Sequence, residues 1–190
     1  MIKITLKDGS VREYEKGIKV SEVVASIGPG LLKAALAAKV NGKLYELNDS
    51  IEEDAVLEVL TFDDEEGRLA FRHTSSHILA QAVKRLYPDV KLAIGPAIEN
   101  GFYYDFDSDK VFTEADLEII EKEMEKIIKE DYKIEKFVLP REEAIKFMEE
   151  KGEIYKVELI KDLKEDEVIS FYKQGEFVDL CAGPHVPSTG

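Results

Sequence analysis

A chain of 190 residues is long enough for one large domain or for two small ones, each with its own apolar core. With 44% hydrophobic and 35% charged residues it has the composition of a soluble globular protein, and its longest apolar runs are far too short to cross a bilayer. The net charge of −14 repels a phosphate backbone, which argues against autonomous nucleic-acid binding.

The compartment follows from the N-terminus and from cysteine usage. The first ten residues, "MIKITLKDGS", contain no apolar segment of the kind found in a signal peptide, so we expect no secretion signal. A single cysteine excludes an internal disulfide, which fits a reducing cytoplasm. We therefore expect a cytoplasmic protein.

Residues 1–62 predict strands joined by strong turn signals. Asp8-Gly9 separates "IKITLK" from "VREYE", and Asn41-Gly42 separates "ALAAKV" from "KLYEL". Both pairs are typical of tight hairpin turns, so two hairpins are expected.

A short helix is predicted between these hairpins. Ser21 is its predicted N-cap, and Gly28 lies at its end. With a last strand in "AVLEVLTF", the pattern predicts a small β-grasp (ubiquitin-like) domain over residues 1–62.

Residues 63–190 mix helical and strand patterns and predict a second domain. The first predicted elements are a helix over 68–87 that ends at Pro88 and a hairpin in "KLAIGPAIENGFYYDFD". A second helix is predicted over 114–130, beginning with a capping box at Thr113 and Asp116, and is followed by a strand "KIEKFVL". A third helix over 141–150 follows Pro140, and strands are predicted in "IYKVELI" and "EVISFYKQGEFVDL". The apolar side of the second helix is predicted to consist of Leu117, Ile120, Met124, Ile127 and Ile128. The whole chain is therefore predicted to be α+β, with helices packed on a largely antiparallel sheet.

Every histidine and the single cysteine fall in two short segments, "RHTSSHILAQ" and "DLCAGPH". On a helical wheel His73 and His77 lie on one face. The predicted apolar stripe on the opposite face consists of Phe71, Ser75, Ile78, Leu79, Ala82 and Leu86. Cys181 and His185 follow an apolar strand, at a strand end where side chains converge on clefts.

The pattern H-x3-H…C-x3-H supplies four nitrogen and sulfur donors, and several uses remain open. One is a tetrahedral zinc site, and another is a metal-free hydrolytic pocket in which neutral imidazoles activate water. A third is a nucleophilic Cys-His pair. The metalloprotease motif H-E-x-x-H is absent, because Thr74 follows His73.

Three blocks in this order, "RHTSSHILAQAVKRLYP", "IGPAIENGFYYDFD" and "DLCAGPHVPSTG", resemble the N-terminal portion of bacterial-type threonyl-tRNA synthetases. Residues 1–62 resemble the TGS domain of that family, and residues 63–190 resemble its editing domain, which alanyl-tRNA synthetases share. The resemblance implies post-transfer editing, that is, hydrolysis of serine wrongly esterified to tRNA(Thr). It also implies that the chain is a fragment, truncated within the editing fold and without the aminoacylation core.

The resemblance also implies roles for individual residues. His73 is expected to orient or activate the hydrolytic water. Lys156 is expected to stabilise the negative charge that develops at the ester oxygen or to hold the ribose of the terminal adenosine. Asp179 is expected to receive the seryl ammonium, and Tyr104 falls in a matching block as a second substrate-binding residue.

The other histidines and the thiol map onto the same family motifs. His77, Cys181 and His185 are expected to shape the pocket and hold water. In the alanyl branch this set resembles a zinc site, whereas the threonyl branch edits without one, so no metal is predicted to be required and zinc here would be adventitious. The neighbouring Lys84, Arg85 and Lys91 are predicted to form a basic cluster that meets the tRNA acceptor end.

For the complete enzyme the resemblance implies use of ATP and zinc in a separate catalytic core and a homodimer formed through other domains. The partner expected for this chain is the acceptor end of tRNA(Thr) carrying serine, and no membrane. Two rivals stay open: a free-standing alanyl-type trans-editing zinc hydrolase, and a non-catalytic module with a structural zinc site.

Overall fold

The computed structural model describes residues 1–95, 97–98 and 100–190. By internal contacts it divides into two compact units, one formed by Met1–Arg72 with Pro184–Pro187 and the other by His73–Gly183 with Ser188–Gly190. The predicted domain boundary after residue 62 stays a prediction. Within the described part of the chain, no helix is both long enough and apolar enough to span a bilayer.

The first unit contains the predicted β-grasp arrangement. Its elements are β1 Ile2–Thr5, β2 Val11–Tyr14, β3 Ile18–Lys19, α1 Val20–Ile27, α2 Pro29–Ala34, β4 Ala37–Val40, β5 Lys43–Tyr45, β6 Ser50–Ile51 and β7 Ala55–Leu60. The main sheet has the order β2-β1-β7-β4-β5, in which β1 and β7 are parallel and the other pairs antiparallel. The mixed α+β class predicted from the sequence is confirmed.

Both predicted hairpin turns are present in this unit. Gly9 has a φ of +84°, and Asn41 and Gly42 have φ values of 51° and 78°, so the second turn has two left-handed residues in succession. Asn-Gly is suited to that geometry because both residue types tolerate positive φ.

The predicted cap at Ser21 is wrong. Helix α1 begins at Val20, and its N-cap is Lys19. The carboxylate of Glu22 accepts the Lys19 N–H at 3.1 Å, so an acidic side chain in the first turn provides a hydrogen-bond acceptor for the backbone N–H of the N-cap residue. Ser21 therefore lies within the helix.

The second unit combines helices with short antiparallel sheets. Its elements are α3 Glu65–Leu86, which begins in the first unit, β8 Lys91–Leu92, β9 Ala97–Ile98, β10 Gly101–Phe102, β11 Phe106–Asp107, α4 Glu114–Glu130, β12 Ile134–Val138, α5 Arg141–Glu150, α6 Ile154–Asp162, β13 Ser170–Gln174 and β14 Phe177–Leu180. Strands β8 to β11 form nested antiparallel pairs, as the sequence predicted, although Pro96 and Glu99 of this segment lie outside the described residues.

The antiparallel sheet β12-β13-β14 separates an apolar core from the candidate site. Phe171 and Leu180 are register partners and pack into a core with α5 and α6. Tyr172 and Asp179 are the next register pair, and alternation places them on the opposite face of the sheet.

The predicted strand in "IYKVELI" is wrong, because this segment forms helix α6. Its aromatic and β-branched residues favour a strand locally, but Val157 and Ile160, three residues apart, pack into the apolar core of Phe171. Tertiary packing therefore decides the conformation, and it buries the neighbouring Lys156 as well.

Helix α4 has the predicted bounds and the predicted capping box. The Thr113 hydroxyl accepts the Asp116 N–H at 3.3 Å, and the Asp116 carboxylate accepts the Thr113 N–H at 2.9 Å. The predicted apolar side is only partly correct: Ile120 and Ile127 are buried, whereas Leu117 and Ile128 are exposed.

The two-faced description of α3 is also wrong. Phe71, in the predicted apolar stripe, is 45% exposed, whereas His77, on the predicted polar face, is 3% exposed. Buried residues occur on all sides of the helix: Ala70, Thr74, Ser76, His77, Ile78, Ala80, Gln81, Ala82 and Val83. The middle of the helix is thus covered from every direction, and its polar residues make contacts rather than face water.

Candidate functional site

Helix α3 supplies two imidazoles one turn apart. The rings of His73 and His77 meet edge to face, with centroids 5.1 Å apart and planes at 90°. The buried hydroxyl of Ser76 lies 2.6 Å from the His73 carbonyl oxygen and 2.9 Å from that of Gly95. This contact fastens the segment after β8 to the helix turn that carries the imidazoles.

Strand β14 and the residue that follows it supply a carboxylate and a thiol. Asp179 and Cys181 lie two residues apart and so project from the same face. The Cys181 Sγ lies 3.2 Å from His73 Nε2 and 3.9 Å from Nδ1. The structure therefore brings together an imidazole and a thiol that are more than a hundred residues apart in the sequence.

Asp179 is the centre of a buried polar group. Its Oδ2 accepts the hydroxyl hydrogen of Tyr104 at 2.6 Å, and its Oδ1 lies 3.1 Å from the Lys156 Nζ. The side chains of Lys156 and Asp179 are only 5% and 2% exposed. A buried ammonium and a buried carboxylate need one another, since each would otherwise carry an uncompensated charge.

The position of Tyr104 depends on a close approach by Gly95. A Cβ built on Gly95 would overlap the Tyr104 ring, so only glycine allows this packing. The ring also stacks on Phe106, with centroids 5.1 Å apart. Burial, followed by the charge of Asp179, raises the pKa of the Tyr104 hydroxyl well above its usual value, so this hydroxyl stays protonated and donates.

His77 lies beside this group as a neutral imidazole. Burial lowers its pKa well below the usual value, and the nearby His73 and Lys156 lower it further. Its Nε2 is 3.7 Å from Asp179 Oδ2. Because the ring is uncharged, this separation is not an ion pair, and the charge of Asp179 is balanced by Lys156.

His185 lies in the short segment Pro184–Pro187, which clusters with the first unit. It is 1% exposed, and its backbone N–H donates to Glu46 Oε2 at 3.0 Å.

Two imidazoles and the thiol of the second unit form a set that could hold a metal ion. One donor atom from each of His73, His77 and Cys181 lies within 4.8 Å of the others. In a tetrahedral zinc site, with bonds of about 2.0 Å to nitrogen and about 2.3 Å to sulfur, the nitrogen and sulfur donors of such a set are about 3.3–3.5 Å apart. The donor set therefore fits zinc after small movements of the side chains.

The predicted site residues occupy two connected arrangements. Tyr104, Lys156 and Asp179 form the buried group, with His77 against it, and His73 pairs with Cys181. The roles assigned to them stay predictions.

Sequence reasoning missed residues that support these groups, among them Gly95, Ser170, Tyr172 and Gly183. The sequence marks the two glycines only as members of Gly-Pro pairs, which predict turns rather than contacts.

Two members of the predicted basic cluster form ion pairs. Lys84 Nζ lies 2.8 Å from Glu153 Oε1, and Arg85 bonds Glu176 and Glu130. These pairs join α3 to α4, to the residue before α6 and to the turn after β13, and the contact of the cluster with tRNA stays a prediction.

Two family models each match a part of the chain. Residues 2–61 match the TGS domain. Residues 169–190, which include β13, β14 and the Cys181 segment, match the threonyl and alanyl tRNA synthetase second additional domain.

The relatives are more specific. The chain is 72% identical over all 190 residues to the threonine–tRNA ligase of Acetivibrio thermocellus and 70% identical over 190 residues to that of Clostridium tetani. It is 68% identical over 187 residues to the threonine–tRNA ligase of Caldanaerobacter subterraneus subsp. tengcongensis. The chain spans about 30% of the length of these relatives, matching their N-terminal region. The predicted resemblance is confirmed.

Proposed function

We propose that this chain is the editing portion of a threonine–tRNA ligase and hydrolyses serine wrongly esterified to tRNA(Thr). The observation that carries the proposal is the buried group of Lys156, Asp179 and Tyr104 next to the His73–Cys181 pair. Buried charges are costly unless they are paired or used, and perturbed titratable groups cluster at functional sites. The similarity to threonine–tRNA ligases over the whole chain supports an aminoacyl-tRNA ester as the substrate.

The reaction is needed because binding energy alone discriminates poorly between serine and threonine. Serine lacks one methyl group of threonine, and a contact with one such group is worth about 1–3 kcal/mol in a binding pocket. A second pocket that admits serine and excludes the larger threonine provides the remaining discrimination. The editing pocket therefore needs only to clash with that methyl group.

The proposed chemistry is hydrolysis of an ester by water. The water oxygen bonds to the seryl carbonyl carbon, and the bond from that carbon to the ribose oxygen breaks. His73 takes a proton from the attacking water and then gives it to the leaving ribose oxygen, so the imidazole ends the step neutral. Lys156 stabilises the negative charge that develops on the carbonyl oxygen, since an ammonium acts most strongly where water is excluded.

Asp179 and Tyr104 are proposed to recognise the substrate. The Asp179 carboxylate attracts the seryl ammonium, and its bond from Tyr104 fixes the direction in which it points. His77, Cys181 and His185 shape the pocket and hold the water. For the complete enzyme we propose ATP as a further substrate, a zinc site in a separate core, a homodimer and a cytoplasmic location.

The donor set around His73 supports a second candidate. Because His73, His77 and Cys181 supply three donors that suit zinc, the chain could instead be an alanyl-type zinc hydrolase, or its metal could be structural. When bound, zinc would supply a water of lowered pKa in the first case and folding free energy in the second.

The experiment is a deacylation assay with seryl-tRNA(Thr), threonyl-tRNA(Thr) and alanyl-tRNA(Ala), performed after chelation and after protein-bound zinc has been counted. Hydrolysis of the seryl ester alone by zinc-free protein supports the proposal. Hydrolysis that returns only with zinc and prefers the alanyl ester supports the second candidate. No hydrolysis by protein that holds one zinc per chain would contradict the proposal in favour of a structural metal.

A further inference from the structure

We infer that Ser170, Tyr172 and Gly183 form a cradle that holds the Cys181 thiol against the His73 imidazole. These are positioning residues, since they act through Cys181. Where the inference concerns hydrolysis, it rests on the proposed function. Where it concerns the placement of the thiol, it stands on geometry alone.

The first part of the cradle clamps the backbone of Cys181. The Cys181 N–H donates to the Ser170 carbonyl oxygen at 3.1 Å, and the Ser170 hydroxyl donates to the Cys181 carbonyl oxygen. Ser170 is 6% exposed, so water does not compete strongly for either bond. The peptide groups on both sides of the Cys181 Cα are therefore fixed, although strand β14 ends one residue earlier, at Leu180.

The second part orients the sulfur. The Gly183 N–H donates to Cys181 Sγ at 3.2 Å. The same sulfur lies 3.2 Å from His73 Nε2, so the thiol is held between a backbone donor and an imidazole. Gly183 itself has a φ of +76°, a left-handed conformation that glycine adopts without strain.

The third part is a wall behind the turn. Tyr172 pairs in register with Asp179, so its side chain shares the sheet face that carries Asp179 and Cys181. A Cβ built at Gly183 would overlap the Tyr172 hydroxyl oxygen and lie 2.9 Å from its Cζ. Tyr172 is 2% exposed and has little space to yield. Position 183 therefore favours glycine for two reasons: its φ is positive, and a side chain there would overlap Tyr172.

These contacts predict a specific consequence. A methyl group at position 183 must push the turn away from Tyr172, and the turn carries the N–H that holds the sulfur. A misplacement of about 1 Å in the geometry around the reacting atoms costs on the order of 10²-fold in rate. Removing the Tyr172 hydroxyl relieves the closest overlap, so it restores part of the original placement.

The test uses the single cysteine of this chain as a probe. Protein labelled with ¹³C at the cysteine Cβ gives one resonance, which reports the surroundings of Cys181 without any assay of hydrolysis. The variants are Gly183→Ala, Tyr172→Phe, their combination, and Ser170→Ala. The control is Gly9→Ala, which has the same kind of strain at φ +84° but open space around the new methyl group.

We expect Gly183→Ala to shift the cysteine resonance and to lower kcat for the seryl ester by about 10- to 100-fold, with KM little changed. Combining Gly183→Ala with Tyr172→Phe returns the cysteine resonance and kcat partway to their wild-type values. Gly9→Ala changes thermal stability but neither the resonance nor kcat. If Gly183→Ala does not fold, Ser170→Ala carries the test, because it removes a single hydroxyl and is expected to shift the resonance in the same way.

An unchanged cysteine resonance in folded Gly183→Ala, or in Ser170→Ala, would overturn the inference. Equal kcat losses for Gly183→Ala with and without Tyr172→Phe would overturn the role of the tyrosine wall. If the wild-type protein hydrolyses none of the esters, the proposed function fails, while the resonance still decides whether the cradle holds the thiol.

Discussion

Tyr104 and Asp179 are joined by a 2.6 Å hydrogen bond between the segment that precedes β11 and strand β14, and both side chains are buried. The same carboxylate lies 3.1 Å from Lys156, which helix α6 supplies. One acidic side chain thus ties together three parts of the second unit, and removing any member changes the surroundings of the others.

The buried ion pair predicts strongly coupled effects on stability. Asp179→Asn leaves the Lys156 ammonium buried without a countercharge, so we expect it to lower the free energy of unfolding by about 3–5 kcal/mol. Lys156→Met leaves the Asp179 carboxylate buried without a countercharge, so it should lower the free energy of unfolding by a similar amount.

The double variant is expected to recover most of this loss, because neither charge then remains. The measurement is urea unfolding of the wild type, both single variants and the double variant. Additive losses in the double variant would show that Lys156 and Asp179 do not depend on one another.

Tyr104→Phe removes the hydroxyl that donates to Asp179 and leaves a buried acceptor without its partner. We expect a loss of about 1–3 kcal/mol in the free energy of unfolding. The matched control is Tyr103→Phe, since Tyr103 is 40% exposed and its substitution should change stability by less than about 0.5 kcal/mol. Equal losses for the two variants, measured by urea unfolding, would mean that the bond to Asp179 contributes nothing.

The sequence predicts those parts of the fold that depend on local rules. The α4 start follows from Thr113 and Asp116 alone, and the second hairpin follows from Asn41-Gly42, because capping and turn bonds span only a few residues. Helix α6 could not be predicted in this way. Its conformation depends on packing against β13, which lies later in the chain.

The candidate site shows the same limit. The family resemblance singled out Lys156 and Asp179, but neither local pattern nor motif indicated that they form one buried ion pair. Periodicity placed His77 on a polar face, because a helical wheel contains no information about what covers the helix. Only the tertiary structure shows that His77 is buried and that Tyr172 lies behind Gly183.

His73→Ala is expected to separate chemistry from folding. His73 is only partly buried, and its ring contacts the thiol rather than an apolar core. We expect kcat for the seryl ester to fall by about 10²–10⁴-fold, the usual contribution of a positioned acid–base group.

The cooperative unfolding transition of His73→Ala should be retained. Leu69→Ala on the same helix is the control, since Leu69 is 40% exposed and should leave kcat unchanged. A His73→Ala protein that fails to fold would show that the imidazole is structural.

Chelation distinguishes the uses of the donor set. If the site works without metal, treatment with a strong chelator followed by dialysis leaves both Tm and seryl-ester hydrolysis unchanged. Added zinc then raises Tm, because an ion that binds only the folded state stabilises it. His77→Ala removes one donor and should weaken that rise. A large fall in Tm on chelation, before any zinc is added, would contradict metal-free function.

The Arg85–Glu176 pair predicts a pH dependence of stability. The hydrogen bond from Arg85 lowers the pKa of Glu176, and Glu176 raises that of Arg85. A carboxyl whose pKa is lower in the folded than in the unfolded state stabilises the protein above its unfolded pKa, about 4.3, and this contribution is lost as the pH falls through the folded value. Because the Glu176 side chain is 54% exposed, the contribution is small, about 0.2–1 kcal/mol. We therefore expect Glu176→Gln to be less stable than wild type at pH 7, by a margin that shrinks as the pH is lowered to 3, whereas Glu165→Gln, at an exposed position, matches wild type at both. Urea unfolding at the two pH values measures this, and an undiminished difference at pH 3 would assign the effect to packing of Glu176 rather than to its charge.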